Sequence, residues 1–430
     1  MRAPGHYFGG EDRRGAGSAR PAAASTLFED TLSLHNVYFD NNATTPLDSR
    51  VRDAMIEWLG SGFGNPSSVH RYGQRARGVV EEARVQVARL LGCEPSEIVF
   101  CASGTEANNA VLATIGRRAR RGDSGRHVVI SAIEHPSIVQ AARRLEAEEA
   151  FEVSEIAPGA DGVVHVEDVL DALRPETALV ALMLANNELG TLQPVAELAR
   201  ACRERGVPVL CDAVQAAGKV AVRVAELGVD SLVIAAHKFH GPLGAAALWV
   251  RSGTAFEPLL VGGGQERRRR ASTENATALL GFGLACELAA GELEERGRRL
   301  SALRERLERG LLDVPGAIVR CRTAPRLPNT TCVTLSGVDA TTLLMRLDLE
   351  GFAVSTGAAC ASGTVEPSRT LLALGLEEDE ALSTLRVSFG LGNTGEEVDA
   401  FLPVLSRAVT ALRIDASRET AQGTMRGARR

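Results

Sequence analysis

The stretch Ser231-Leu232-Val233-Ile234-Ala235-Ala236-His237-Lys238-Phe239-His240-Gly241-Pro242 decides how this chain is read. It opens on an apolar, β-branched run of strand length. His237 and Lys238 fall where that strand must end. A lysine at a strand end can form a Schiff base with an aldehyde cofactor. Outward from this stretch the same form repeats. Strand-like runs at 97–101, 127–131, 178–184, 207–211 and 245–250 alternate with helical patterns at 72–91, 137–149, 195–205 and 276–312. This alternation predicts an α/β fold with a mostly parallel sheet and helices on both faces. Such sheets bind ligands beyond the carboxyl ends of their strands. Here the strand ends carry Gly104-Thr105, Asn186-Asn187, Asp212 and His237-Lys238, so they point to one site.

The last third changes character. Strand-like 331–335, 352–355 and 385–389, a helix near 340–350 and a final helix predict a smaller α+β domain, linked to the first by a charged helix near 292–309. The expected division is a large cofactor-binding domain at 47–296 and a small domain made of 35–46 and 297–416. Residues 1–34 lack any periodic apolar face and read as a disordered tail, with a transit peptide or a start-site artefact as alternatives. Residues 417–430 read as a solvated C-terminal tail.

Composition narrows the class. The 430 residues carry a net charge of -6, which makes nucleic acid an unlikely main partner. No apolar stretch reads as long and uncharged enough to span a bilayer, so no membrane partner is expected. Eight scattered cysteines without a CxxC pair argue against a zinc module or disulfide framework and fit a reducing compartment.

Each candidate residue carries two readings. Gly104 and Thr105 open a helix, where free N–H groups suit a phosphate or a plain capping turn. Asp212 ends a strand, where it can pair with a protonated ring nitrogen or cap the next turn. His135 can stack on an aromatic cofactor, move protons, or sit solvated in its loop. Arg386 lies inside an apolar strand and needs a partner: a substrate carboxylate, or a structural Asp or Glu. The run Arg267 to Arg270 is a solvated face or, following Gly262-Gly263-Gly264, a phosphate-facing loop. Cys360 sits in a small-residue stretch, Ser355 to Gly363, that reads as a mobile loop able to carry a nucleophilic thiol to a cofactor. Cys101, Cys202, Cys211 and Cys286 read as small buried hydrophobes.

Together these motifs resemble the cysteine desulfurases, which have the pyridoxal-phosphate-dependent transferase fold of type I, aminotransferase class V. The matching stretches are Tyr38 to Pro46, Phe63 to Ser68, Ser103 to Glu106, Glu134-His135, Asn186 to Glu188, Asp212 to Gln215, His237-Lys238, Gly263 to Arg267 and the Cys360 loop. The loop, followed by Glu366-Pro367-Ser368, resembles that of the long-loop group that feeds iron–sulfur cluster assembly. The resemblance implies that Lys238 holds pyridoxal 5'-phosphate, Asp212 pairs with the pyridine nitrogen, Gln215 with the phenolic oxygen, and His135 stacks on the ring. Gly104, Thr105 and His237 are implied at the phosphate, with Thr273 from the other subunit of a homodimer. Asn187 and Arg386 are implied at the substrate carboxylate.

L-cysteine is then the substrate. Cys360 is implied to take its sulfur as a persulfide, to release L-alanine, and to pass the sulfur to an acceptor such as an iron–sulfur scaffold. No resident metal is expected, and Cys360 is expected to ligate a cluster only transiently. A cytoplasmic enzyme is expected. Selenocysteine lyase, plain class V aminotransferase and a degenerate sulfur scaffold are the alternatives. The chain departs from the family at Ala235, Leu243, Arg268, Ser272, Leu391 and Gly392. Those departures bear on cofactor affinity, loop geometry and partner choice.

Overall fold

The computed structural model describes residues 36–356 and 366–427, with side chains described through 414. The N-terminal tail reading and Cys360 with its loop lie outside the described residues. The fold is that of the unit Val37–Arg430. Its strands, in chain order, are β1 (Val37–Tyr38), β2 (Ile98–Cys101), β3 (His127–Ser131), β4 (Glu152–Ile156), β5 (Thr177–Ala181), β6 (Val209–Asp212), β7 (Ser231–Ala235), β8 (Ala246–Val250), β9 (Ala317–Val319), β10 (Thr330–Leu335), β11 (Phe352–Ala353), β12 (Ser355–Thr356) and β13 (Thr384–Ser388).

Seven of these form one sheet in the order β2-β8-β7-β6-β5-β3-β4. Pairing is parallel from β7 through β4, and β8 runs antiparallel to both β7 and β2. Both faces are covered. In β7, Leu232 and Ile234 enter one apolar cluster while Val233 and Ala235 enter the other. A strand buried on both sides reads as a continuous apolar run, which is why these strands stand out in the sequence.

A second sheet has the order β12-β13-β10-β9, and β1 pairs in parallel with β11. The expected single strand at 352–355 is two strands in two sheets. β11 pairs with β1 and β12 with β13, and the chain changes sheet at buried Val354. Around these strands lies a separate apolar cluster. Phe39 is its centre, 5.1 Å from Phe389 and 5.5 Å from Phe401, both edge-on.

The helix Ala276–Leu311 serves both cores. Leu279, Phe282 and Cys286 pack under the seven-stranded sheet, and Leu300, Leu303 and Leu307 join the Phe39 cluster. By length and composition it is able to cross a membrane, which the sequence reading did not foresee. Its apolar side chains are instead packed in these two cores. The last helix, Gly395–Gly427, runs past Ser417, where a tail was expected. No proline follows Pro403, and Ala416 to Gln422 contains good helix formers.

Candidate active site

The carboxyl ends of β5, β6 and β7 open into a cavity of about 450 Å³. Lys238, His237, Asp212 and Gln215 line it from the β6 and β7 ends. Gly104, Thr105 and His135 line it from two helix starts, with Asn187 and Arg386 on a further wall. Of the other implied residues, Thr273 is exposed and does not line this cavity, and Cys360 is outside the described residues.

Lys238 lies in the turn Ala236–Lys238 that ends β7. Its Nζ donates to the carbonyl oxygens of Asn42 at 2.8 Å and Ala43 at 2.7 Å. Burial, then the nearby Arg386 guanidinium, lowers its pKa to about 8, against the opposing pull of Asp212 and Asp40. Near neutral pH a useful fraction is therefore the free amine, the form that attacks an aldehyde.

Asp212 caps the next turn and still lines the cavity. Oδ1 accepts the backbone N–H of Val214 at 2.9 Å, which is the turn cap. Oδ2 accepts from Asn108 Nδ2 at 2.8 Å, and the carboxylate faces the cavity. Asn108, absent from the sequence reading, also donates to Ser137 Oγ at 2.9 Å. His135 caps the helix Pro136–Glu149: its Nδ1 accepts the Ser137 N–H at 3.1 Å and lies 2.8 Å from Ser137 Oγ. With Nδ1 accepting, the Ser137 hydroxyl donates to it and the ring proton sits on Nε2. Burial lowers the His135 pKa, so the ring is neutral, although one face is open to the cavity. One polar chain thus ties His135 to Asp212.

Arg386 reaches the cavity from β13. Its Nη2 donates to Asp40 at 2.6 Å and its Nη1 to the Asn187 carbonyl at 3.0 Å. Nε is buried with no protein partner. The structural Asp of the sequence reading therefore exists, and donor capacity is still left over.

At the other end, Gly104 and Thr105 begin the helix Gly104–Arg120, with Ser103 as its N-cap. First-turn N–H groups have no intrahelical partner and suit an anion. His237 lies 3.2 Å from Thr44 Oγ1, and burial, then Lys238 and Lys219, lowers its pKa to about 4. It is a neutral ring on the cavity wall. Ala235 lines this wall without a polar atom, as its departure from the family predicts. Leu243 is exposed, away from the cavity.

None of Arg267 to Arg270 lines the cavity. Arg267 and Arg268 are exposed, Arg269 donates to the Ser96 and Ile98 carbonyls, and Arg270 pairs with Glu106 at 2.8 Å. The loop is pinned by Glu266, which takes two bonds from buried Arg84 at 2.7 and 2.8 Å and one from the Phe100 N–H at 2.8 Å. Arg268 and Ser272 have φ of 65° and 96°, so the glycine-like conformation persists without glycine.

The described cysteines support their bland reading. Cys101, Cys202, Cys211, Cys286, Cys321 and Cys332 are buried, and Cys93 partly so. Burial pushes the Cys93 thiol up to about 12 and those of Cys202 and Cys321 up to about 11.

The cavity also fits pyridoxal phosphate by its donor set. It has an amine of lowered pKa, a carboxylate held by two donors, a neutral imidazole, and a helix start at one end. The buried Arg386 Nε and Asn108 Oδ1 have no partner of their own. Comparison with known proteins agrees. Residues 37–401 match the family model described as aminotransferase class-V. "Cysteine desulfurase IscS" of Methanosarcina thermophila is 40% identical over 386 residues, 89% of this chain and 95% of that protein. "Cysteine desulfurase IscS 1" of Archaeoglobus fulgidus is 40% identical over 376 residues, 87% and 97%. A solved "NifS-like protein" superposes with a TM-score of 0.82 at 36% identity, covering 88% of this chain and all of that one. The NifS-like protein of Rickettsia africae gives 0.79 at 33%, covering 87% and 99%. This chain belongs to the cysteine desulfurases of the class-V aminotransferase family, enzymes that use pyridoxal 5'-phosphate.

Proposed function

We propose that the chain converts L-cysteine to L-alanine, with Lys238, Asp212 and Arg386 in the roles their positions suit and Cys360 in the sulfur-accepting role that the family resemblance implies. The observation that carries this reading is the meeting of Lys238, Asp212, His135 and Arg386 at one cavity. Bound there, pyridoxal phosphate supplies an electron sink that makes the substrate's Cα proton removable and its C–S bond breakable. The free amine of Lys238 holds the cofactor and then moves the Cα proton. Asp212 keeps a proton on the ring nitrogen by its charge. Neutral His135 covers the ring. Gln215 donates to the phenolic oxygen, and the helix start at Gly104 and Thr105, with His237, takes the phosphate. Arg386 and Asn187 orient the substrate carboxylate.

The sulfur step balances. The substrate C–S bond breaks and a bond forms to the Cys360 thiolate, leaving a persulfide; the carbon skeleton gains protons and leaves as alanine. The high thiol pKa values of the described cysteines favour Cys360 for this step.

We further infer a homodimer completed by Thr273. That residue is exposed and lies off its own cavity, and Phe63, stacked on Tyr72, and Val69 leave apolar surface uncovered. A protein acceptor, such as an iron–sulfur scaffold, takes the sulfur in the cytoplasm. The chain divides, on this reading, into a large cofactor-binding domain at 47–296 and a small domain of 35–46 with 297–416. The test is alanine and sulfide production from L-cysteine by the cofactor-loaded protein. Lys238→Ala abolishes both on this reading; unchanged alanine release by that variant contradicts it.

A further inference from the structure

Lys219 is a second buried lysine beside the site, and the reaction as derived does not use it. It is 7% exposed. The chain brings it inward through Gly218, whose φ of 73° suits glycine and whose added Cβ would lie 2.5 Å from Phe239. Its Nζ donates to Gln215 Oε1 at 2.7 Å and Asn42 Oδ1 at 2.9 Å. The charged groups that face it are Lys238 and Arg386; burial first, then these two, lowers its pKa well below the lysine range. Either protonation state keeps at least two N–H donors, enough for both bonds.

These contacts fix the Gln215 amide. Lysine faces the carbonyl end. The other end lies 2.8 Å from the Asn42 main-chain oxygen, which only accepts and therefore faces Nε2. The Asn42 oxygen demands this orientation, because a flipped amide would set carbonyl against carbonyl, and the lysine N–H donated to Oε1 reinforces it. Nε2 has a second hydrogen, and Gln215 lines the cavity. The wall there offers an N–H, which suits an anionic oxygen.

We propose that Lys219 is a positioning residue that holds the Gln215 amide with its N–H toward the cavity, so that it can donate to the phenolate oxygen of bound pyridoxal phosphate. This rests on the reading of Gln215 given above. Removing a donor from a phenolate makes the proton it shares with the lysine-bound nitrogen harder to lose. The pH midpoint of the visible absorption should therefore rise.

The test is a spectral pH titration of four cofactor-loaded proteins: wild type, Lys219→Met, Gln215→Leu and the double variant. Lys219→Met and Gln215→Leu should each raise the midpoint by about one pH unit, the scale of one hydrogen bond to a charged oxygen. The double variant should shift no further than Gln215→Leu alone. A wild-type midpoint in Lys219→Met, or a shift that adds fully to that of Gln215→Leu, overturns the proposal. An unmoved midpoint in Gln215→Leu removes the reading of Gln215 itself, and the proposal with it. Lys219→Gln keeps an N–H donor and should shift less; it carries the same comparison if the methionine variant does not fold.

Discussion

Arg386 donates to the Asp40 carboxylate at 2.6 Å, so the arginine assigned to the substrate is already paired within the chain. Asp40 compensates the buried charge of Arg386, and a substrate carboxylate competes with it for the guanidinium. Asp40→Asn should lower the thermal stability of the ligand-free protein by roughly 1–3 kcal/mol, the cost of weakening a charged hydrogen bond. It should also bind carboxylates more tightly. Added L-alanine should raise the melting temperature more in the variant than in the wild type. An equal or smaller rise contradicts the competition.

The two oxygens of Asp212 have separable duties. Asp212→Asn keeps an acceptor for the Val214 N–H and loses the charge. It should fold with a loss of about 1 kcal/mol, because its NH₂ replaces the oxygen that accepts from Asn108, retain cofactor and lose turnover by about 100-fold or more, the scale of a lost charge contact at a reacting group. Asp212→Ala should lose the cap as well, at about 1 kcal/mol. Normal alanine production by a folded Asp212→Asn would return this residue to a purely structural role.

The lowered pKa of Lys238 sets a pH dependence. The amine is protonated below about 8 and free above it. Uptake of pyridoxal phosphate by the cofactor-free protein, followed by absorbance, should quicken through about pH 8 and then level. The folded value lies below that of an unfolded lysine, so between the two values the folded chain binds fewer protons. Stability of the cofactor-free protein should therefore rise with pH from about 8 toward the ordinary lysine range. A rate that rises only near pH 10 contradicts the burial argument.

Arg268 and Ser272 hold left-handed backbone without being glycine. The strain is of order 1 kcal/mol for each, partly offset by the entropy a glycine would lose. Arg268→Gly with Ser272→Gly should raise the unfolding free energy by roughly 1 kcal/mol in a urea titration. A loss of stability would mean that the side chains hold the loop.

The sequence made visible what is dense and local. β7 and β8 could be read because both of their faces are apolar. β4, with Glu152, Ser154 and Glu155, lies at the sheet edge and carries no such run. The helix Ser49–Ser61 escaped notice because only Val51 and Trp58 are buried in it. At the site, Lys238, Asp212 and His135 are betrayed by their place after strands. Asn42 is not, although its carbonyl takes both Lys238 and Gln215 and its side chain meets Lys219, Thr330 and Asn329. Those partners are 173 to 288 residues away in the chain, so the matching stretch Tyr38 to Pro46 contains it without showing what it does. Asn108 and Lys219 did leave a trace. Lys219 is a lone charge within a mostly apolar stretch, one turn from Gln215, and Asn108 lies one turn from Thr105 on the helix that starts there.

Sulfur transfer to Cys360 is the central claim, and persulfide mapping after a short pulse of L-cysteine tests it most directly. The cofactor-loaded wild type is labelled with a persulfide-selective reagent, digested and read by mass spectrometry beside Cys360→Ser. The account predicts persulfide on Cys360 in the wild type, and in the variant no labelled cysteine and no sulfide-linked alanine release. Persulfide on Cys101, Cys211 or another of the buried cysteines with Cys360 unmodified, or normal alanine production by Cys360→Ser, would contradict it.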